Sequence, residues 1–181
     1  MKILFMGTPA FAVPTLEALL ASPHEVIGVV TQPDAPAGRG RKLRPPAVKV
    51  RALEAGLPLY QPDKPRRALW PDLSPDLIVV VAYGHILPRE ILDWPARGCV
   101  NLHASLLPRY RGAAPIHWAI IEGETETGVT SIRMSERMDA GDVLLQKRCA
   151  IAEDDTTETL SEKLARLGAE VCRETLDALE E

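Results

Sequence analysis

Cysteine is scarce in this sequence, and basic residues are fewer than acidic ones. The 181 residues include three cysteines, which stand far apart and form no C-x-x-C pair. The sequence therefore predicts neither a disulfide framework nor a zinc site, and we expect a reducing compartment, the cytoplasm. The formal net charge is −4, so any binding of nucleic acid must come from a local basic patch.

Long apolar runs and the usual nucleotide-binding glycines are also lacking. The N-terminal apolar run ends at Gly7-Thr8-Pro9 and is too short for a signal peptide or a membrane span, so we expect no membrane partner. The first turn is G-T-P-A-F rather than G-x-G-x-x-G, which argues against a nicotinamide or flavin enzyme. The length suits one domain with a real core.

Strand-like and helix-like segments alternate in the first half of the chain. A buried strand over 2–6, a helix over 11–21 and a strand over 25–31 predict a β-α-β unit. The run D-L-I-V-V-V-A at 76–82 predicts a central strand that is buried on both faces. We therefore predict an α/β fold with a doubly wound, mostly parallel sheet and helices on both faces. Further elements are predicted as helices over 47–55 and 112–121, strands over 58–60, 127–134 and 143–151, a strand ending near residue 102, and a long C-terminal helix with a capping box at Asp155 or Thr157 and Glu158.

The segment from Gln32 to Pro46 is predicted to be a loop without secondary structure. It has four prolines, two glycines and a cluster of cations opposed only by Asp34. The cations are Arg39, Arg41, Lys42 and Arg44. The loop is either a solvated, mobile connection or a flexible arm that binds a polyanion, and its positive charge within an acidic protein favours the arm.

The stretch V-N-L-H carries the strongest chemical signal. Asn101 and His103 are two residues apart in a strand, so their side chains share one face. An amide can donate to a developing oxyanion, and an imidazole can act as acid or base. A carboxylate nearby would orient the imidazole, and Asp139 is a candidate, although an aspartate in such a setting is more often a turn residue. No activated Ser or Cys is evident, so the chemistry points to direct transfer to a nucleophile that the substrate supplies.

Six motifs in order along the chain resemble those of the methionyl-tRNA formyltransferases, within the wider family of 10-formyltetrahydrofolate-dependent formyltransferases. They are M-G-T-P-A-F-A-V-P at 6–14, T-Q-P-D-A-P-A-G-R-G-R-K-L at 31–43, V-A-Y-G-H-I-L-P at 81–88, N-L-H-A-S-L-L-P-R-Y-R-G-A-A-P-I at 101–116, E-T-G-V-T at 126–130 and M-D-A-G-D at 138–142. The resemblance implies formyl transfer from 10-formyltetrahydrofolate to the amino group of methionine on initiator tRNA, with no metal.

The resemblance also implies roles for individual residues. Asn101, His103 and Asp139 fall on the catalytic positions of the family, with Asp139 relaying the proton of the amine through a water. The predicted folate pocket consists of Ala82, Tyr83, Gly84, Ile86 and Leu87 together with Ser105, Leu106, Leu107 and Pro108. Arg39, with Arg41, Lys42 and Arg44, is expected to bind the acceptor end of the tRNA.

The sequence departs from the family in one respect and leaves three alternative functions open. Nothing in the chain corresponds to the small, basic C-terminal barrel that helps such enzymes to hold tRNA, so 1–181 is expected to be a catalytic domain alone, with weakened tRNA recognition, and a monomer. The rivals are a formyltransferase acting on an amino-sugar nucleotide, a formyltetrahydrofolate hydrolase with water as acceptor, and a non-catalytic folate- or RNA-binding module. The last would lack at least one of Asn101, His103 and Asp139.

Overall fold

A seven-stranded sheet forms the centre of the computed structural model, which describes all residues from Met1 to Glu181. In chain order the strands are β1 (Lys2–Gly7), β2 (Glu25–Val30), β3 (Ala35–Ala37), β4 (Lys42–Arg44), β5 (Leu59–Tyr60), β6 (Leu77–Val81), β7 (Cys99–His103), β8 (Glu126–Arg133) and β9 (Val143–Ala150). The helices are α1 (Val13–Leu20), α2 (Ala47–Glu54), α3 (Arg89–Leu92), α4 (Pro115–Ile121) and α5 (Thr157–Glu180), with single 3₁₀ turns over Ala10–Ala12 and Arg67–Leu69.

The order of strands in the main sheet is β5-β2-β1-β6-β7-β8-β9. The first five are parallel, whereas β8 is antiparallel to both β7 and β9. The predicted α/β class with a mostly parallel sheet is therefore confirmed. The chain order changes direction at β1, with β2 on one side and β6 on the other, and ligands of open α/β sheets bind beyond the carboxyl ends of strands at such a point.

Both faces of the sheet are covered, as the alternation along β1 shows. Ile3 and Phe5 face one core together with α1, α2 and α5, whereas Leu4 and Met6 face a second core that contains Trp70 and Ile91. Every residue of β6 is buried, in agreement with its unbroken apolar sequence. None of the helices is both long and apolar enough to cross a membrane.

Three predictions about local structure were wrong. The segment 32–46 contains a β-hairpin, β3 paired antiparallel with β4, although all six of its strand residues are exposed. Helix α4 begins at Pro115 rather than at 112, because Ala114 has a left-handed backbone (φ +56°) that a helix cannot contain. The capping box of α5 is formed by Thr156 and Thr159, which exchange two hydrogen bonds of 2.9 and 3.2 Å.

Candidate functional site

A cavity of about 710 Å³ opens at the carboxyl ends of β1, β6 and β7. Its walls come from Pro9 after β1, from the segment 82–87 after β6, and from the end of β7. The loop between β8 and β9 closes a further side. This is the position that the change in strand order predicts, and the volume is in the range of small-molecule sites.

Asn101 and His103 both line the cavity, as their spacing in β7 predicts. Leu102 between them belongs to the buried core. The Asn101 side chain is half-buried, and none of the hydrogen bonds of the site uses its amide. The Asn101 N–H groups are therefore free to donate to a ligand.

His103 lies between a carbonyl oxygen and a carboxylate. Its Nε2 is 2.7 Å from the Tyr110 carbonyl oxygen, and its Nδ1 is 3.6 Å from Asp139 Oδ2. A carbonyl oxygen only accepts hydrogen bonds, so Nε2 carries a proton and Nδ1 is the nitrogen that faces the carboxylate. Both side chains are about nine-tenths buried, at 8% and 10% exposure. Asp139 Oδ2 also accepts a hydrogen bond of 2.8 Å from the Gly112 N–H.

The backbone around the cavity is unusually strained. Ala82, Ala114 and Asp139 line the cavity with left-handed φ values of +47°, +56° and +49°, and Tyr110, which binds His103, has φ +55°. Non-glycine residues rarely adopt this conformation, and such residues cluster at functional sites. No sequence pattern indicated this strain, because none of these residue types is typical of left-handed backbone except Asp139.

The segment after β6 lines the cavity, with Ala82, Tyr83, Gly84, Ile86 and Leu87 all in its wall, and their role in binding folate stays a prediction. Gly84 has φ +93°, a conformation that glycine adopts without strain and other residues rarely do, whereas the nearest atom to a Cβ there, Gln32 Nε2, belongs to a side chain that could move aside. The Tyr83 hydroxyl is buried without a hydrogen-bond partner, and burial raises the pKa of Tyr83 to about 12.

A second cavity, of about 640 Å³, adjoins this wall and shares Gly84, His85 and Ile86 with it. Lys64 and Arg66 also line it, together with one carboxylate, Glu90. Sequence reasoning missed these two cations, which lie in the proline-broken segment before β6. The only indication of these cations in the sequence is that they stand on either side of Pro65.

The structure does not bring Ser105, Leu106, Leu107 and Pro108 to the main cavity, which differs from their predicted position. These residues instead fix the turn after β7, because their polar groups are directed into the protein. The Ser105 hydroxyl donates to the Arg109 carbonyl oxygen (2.6 Å), and the Leu107 N–H donates to Thr130 Oγ1 (3.2 Å). A role for them in folate binding stays a prediction.

The basic residues of the hairpin are all exposed. Arg39, Arg41, Lys42 and Arg44 surround its tip and second strand. Asp34 is the only acidic residue in the same segment. It forms an ion pair of 2.9 Å with Lys49 and accepts a hydrogen bond of 2.8 Å from Gln61, so it does not neutralise the hairpin cations. The Gln61 hydrogen bond and Lys49 lower the pKa of Asp34. The hairpin cations are thus free of a carboxylate from their own segment.

The base of the hairpin is attached to the wall of the main cavity. Thr8 Oγ1 donates to the Tyr83 carbonyl oxygen (2.8 Å) and accepts from the Gln32 N–H (3.3 Å). The hairpin therefore begins directly beside the site. No three His, Cys, Asp or Glu side chains are grouped closely enough to hold a metal ion.

Comparisons with known proteins agree with this geometry. The family model described as "Formyl transferase" matches residues 1–176. The methionyl-tRNA formyltransferase of Moorella thermoacetica is 57% identical over 183 residues, covering 99% of this chain and 59% of that protein. The enzyme of the same name from Geobacter metallireducens is 54% identical over 184 residues, with the same coverage of 99% and 59%. The chain thus spans 59% of the length of these curated relatives.

Solved structures share the fold. A phosphoribosylglycinamide formyltransferase from Bacillus halodurans superposes with a TM-score of 0.80 at 25% identity, covering 99% of this chain and 95% of that one. A formyltetrahydrofolate deformylase from Pseudomonas syringae gives a TM-score of 0.79 at 20% identity, covering 99% of this chain and 61% of the other. The second likeness concerns the fold alone.

Proposed function

Since this chain belongs to the formyl transferase family, we propose that it transfers the formyl group of 10-formyltetrahydrofolate to the amino group of methionine on initiator tRNA. One observation carries the proposal: the amide of Asn101 and the imidazole of His103 line one cavity, with the Asp139 carboxylate 3.6 Å from the ring. An oxyanion donor, an acid–base group and an orienting carboxylate are what acyl transfer to an amine requires.

The chemistry needs no nucleophile from the protein. The amine of the acceptor attacks the electrophilic formyl carbon of the donor and forms a new C–N bond, which gives a tetrahedral intermediate. Collapse of this intermediate breaks the bond between the formyl carbon and N10 of the folate, and N10 takes up a proton equivalent to the one that the amine loses as tetrahydrofolate leaves. Asn101 donates an N–H to the oxygen of the formyl group as negative charge develops there. When His103 takes a second proton at Nδ1, this N–H can donate to the same oxygen, because the 3.6 Å between Nδ1 and Asp139 is longer than a normal hydrogen bond and leaves Nδ1 uncommitted. Asp139 complements the positive charge of the protonated ring and accepts the proton of the amine through a water.

The shape and charges of the two cavities fit a folate donor. The wall around Gly84 offers bare backbone to a flat ring, and most of the residues lining the main cavity are apolar. The neighbouring cavity presents two cations, Lys64 and Arg66, against the single carboxylate of Glu90, and this excess of positive charge suits the carboxylates at the other end of a folate. Ala82, Tyr83, Ile86 and Leu87 would hold the ring system.

The proposed acceptor accounts for the basic hairpin. Four exposed cations beside the mouth of the site suit the phosphates of an acceptor stem, whereas an amino-sugar nucleotide would not need an arm of this length. The relatives named methionyl-tRNA formyltransferase support the same acceptor.

We place the reaction in the cytoplasm, since all three cysteines are free thiols.

A competition assay tests the proposal. The protein is incubated with 10-formyltetrahydrofolate labelled in the formyl group, and methionyl-tRNA, an amino-sugar nucleotide and water compete as acceptors. We expect label on methionyl-tRNA in wild type and none in His103→Ala, which still binds the folate. Label on the sugar nucleotide would establish the alternative transferase, and free formate would establish a hydrolase. Folate binding without any product, in wild type, would point to a binding module.

A further inference from the structure

Glu124 lies outside the main cavity, in the turn after α4, yet one residue connects it to the imidazole of the site. Glu124 Oε1 accepts a hydrogen bond of 2.7 Å from the Tyr110 hydroxyl, and the Tyr110 carbonyl oxygen accepts one of 2.7 Å from His103 Nε2. We propose that Glu124 is a positioning residue that acts through Tyr110 to fix which nitrogen of His103 carries the proton. The inference deepens the proposed function and rests on it, since the position of this proton matters for formyl transfer.

The bond from His103 to Tyr110 determines what the ring can do. While the carbonyl oxygen stays in place, Nε2 must remain protonated, and protons are gained or lost only at Nδ1. Nδ1 is the nitrogen that faces Asp139 at 3.6 Å. If the carbonyl oxygen moved, the neutral ring could carry its proton on Nδ1 instead and leave a lone pair on Nε2, directed away from Asp139. The orientation of one peptide group thus selects the tautomer.

The conformation of Tyr110 requires support from its surroundings. Its φ of +55° is left-handed, and a bulky residue persists there only when the surrounding structure holds it. The bond from its hydroxyl to Glu124 anchors the side chain. Arg109, the preceding residue, pairs with both oxygens of the same carboxylate, and its guanidinium lies 5.4 Å from the centre of the Tyr110 ring. Glu124 is therefore the point at which two consecutive side chains of this segment are tied down.

The charges of this group suit a strong hydrogen bond. The bond from Tyr110, and then the Arg109 guanidinium, lower the pKa of Glu124, while Glu124 raises the pKa of Tyr110. At neutral pH the acceptor is thus an anion and the donor a neutral hydroxyl, and a charge-assisted bond of this kind is stronger than one between neutral groups. The Glu124 side chain is only 20% exposed, so few water molecules can compete with Tyr110 and Arg109 for its carboxylate.

The test measures the tautomer of His103 directly, by NMR of protein carrying ¹⁵N-labelled histidine. The chain has four histidines, and the His103 signals are assigned by their loss in His103→Ala. In Glu124→Ala and Tyr110→Phe we expect the Nε2–H tautomer of the neutral ring to lose population. The turnover rate should fall about tenfold, a part of the ~10²–10⁴ that a positioned acid–base group contributes, and the KM for the folate donor should change less than about twofold. Glu124→Gln, whose amide oxygen still accepts from Tyr110, should restore much of the tautomer and the rate.

A matched control is Glu126→Ala, which breaks a comparable exposed ion pair with Arg148 but has no connection to the site. Its tautomer and turnover rate should match those of wild type. The inference is overturned if the His103 tautomer and the turnover rate are the same in wild type, Glu124→Ala and Tyr110→Phe. Tyr110→Phe removes one oxygen atom and answers the question even if Glu124→Ala fails to fold. If wild type transfers no formyl group while the tautomer still follows Glu124, the proposed function fails and the positioning stands.

Discussion

Replacing Asn101 by alanine should separate catalysis from folding. The amide lines the cavity, is half-buried and takes part in none of the hydrogen bonds of the site, so its removal leaves no buried group unpaired. The free energy of unfolding should therefore change by only about 0.5 kcal/mol. Loss of one preorganised oxyanion donor is typically worth ~10²–10³ in rate, or about 2.7–4 kcal/mol of transition-state stabilisation.

Single-turnover formyl transfer under saturating enzyme measures this effect, and titration of the folate donor measures binding separately. We expect Asn101→Ala to lose the rate while its affinity for the donor changes less than threefold. Ser135→Ala is the matched control, since this hydroxyl lines the same cavity and donates within its own loop. A single-turnover rate for Asn101→Ala within threefold of wild type, with unfolding unchanged, would refute the assignment of Asn101 to the oxyanion.

Three other perturbations have defined outcomes. Asp139→Asn keeps an acceptor for the Gly112 N–H but removes the charge beside the imidazole, so turnover should fall by about 10²–10⁴ without loss of the folded state, as circular dichroism would show. Arg39→Ala should weaken turnover on methionyl-tRNA, not folate affinity, and should lower the salt dependence of tRNA binding, whereas the exposed Arg148→Ala should do neither. The pKa of Asp155 is lowered from 3.8 to about 2, chiefly by Lys163. Its stabilising effect is therefore present above pH 4 and lost towards pH 2, and the advantage of wild type over Asp155→Asn in urea midpoint should shrink over that interval.

Burial explains which parts of the fold could be predicted from the sequence. Strands β1 and β6 carry unbroken apolar runs because both of their faces are covered. Such runs can be recognised from the sequence alone. The hairpin of β3 and β4 was missed because all of its strand residues are exposed, so no alternation of apolar residues marks it. The capping box of α5 was displaced because Asp155, a good cap by residue type, binds Lys163 and the Ala152 N–H instead.

Local periodicity predicted which side chains of the site share one face of a strand, but not the distances between residues from different segments. Two-residue alternation placed Asn101 and His103 on one face, and the resemblance added Asp139, but no pattern could give the 3.6 Å between His103 and Asp139. The turn from Ser105 to Pro108 shows the same limit. Its sequence predicts that the chain turns there, but not which side of the turn faces the cavity.

The motif M-D-A-G-D has a physical basis in the path of the loop between β8 and β9. Arg133, at the end of β8, lies opposite Val100, three residues before His103 in β7, so the loop must turn back along the sheet to bring Asp139 to the ring. Its base is closed by the Arg133 N–H, which donates to the Asp142 carbonyl oxygen at 2.9 Å. Gly141 lies so close to this strand that a Cβ would be 1.7 Å from the Arg133 carbonyl oxygen.

Gly141→Ala should therefore displace the loop, because the group in the way is backbone that belongs to the sheet and cannot rotate aside. We expect a turnover loss close to that of Asp139→Asn and a smaller loss of donor affinity, since this loop closes only one side of the cavity and the wall at 82–87 is formed by another segment. Glu136→Ala, an exposed position in the same loop, should retain activity and shows whether the loop tolerates substitution in general. Wild-type turnover in Gly141→Ala would mean that Asp139 need not be held by the base of its loop, and the close approach of Gly141 would then have no part in catalysis.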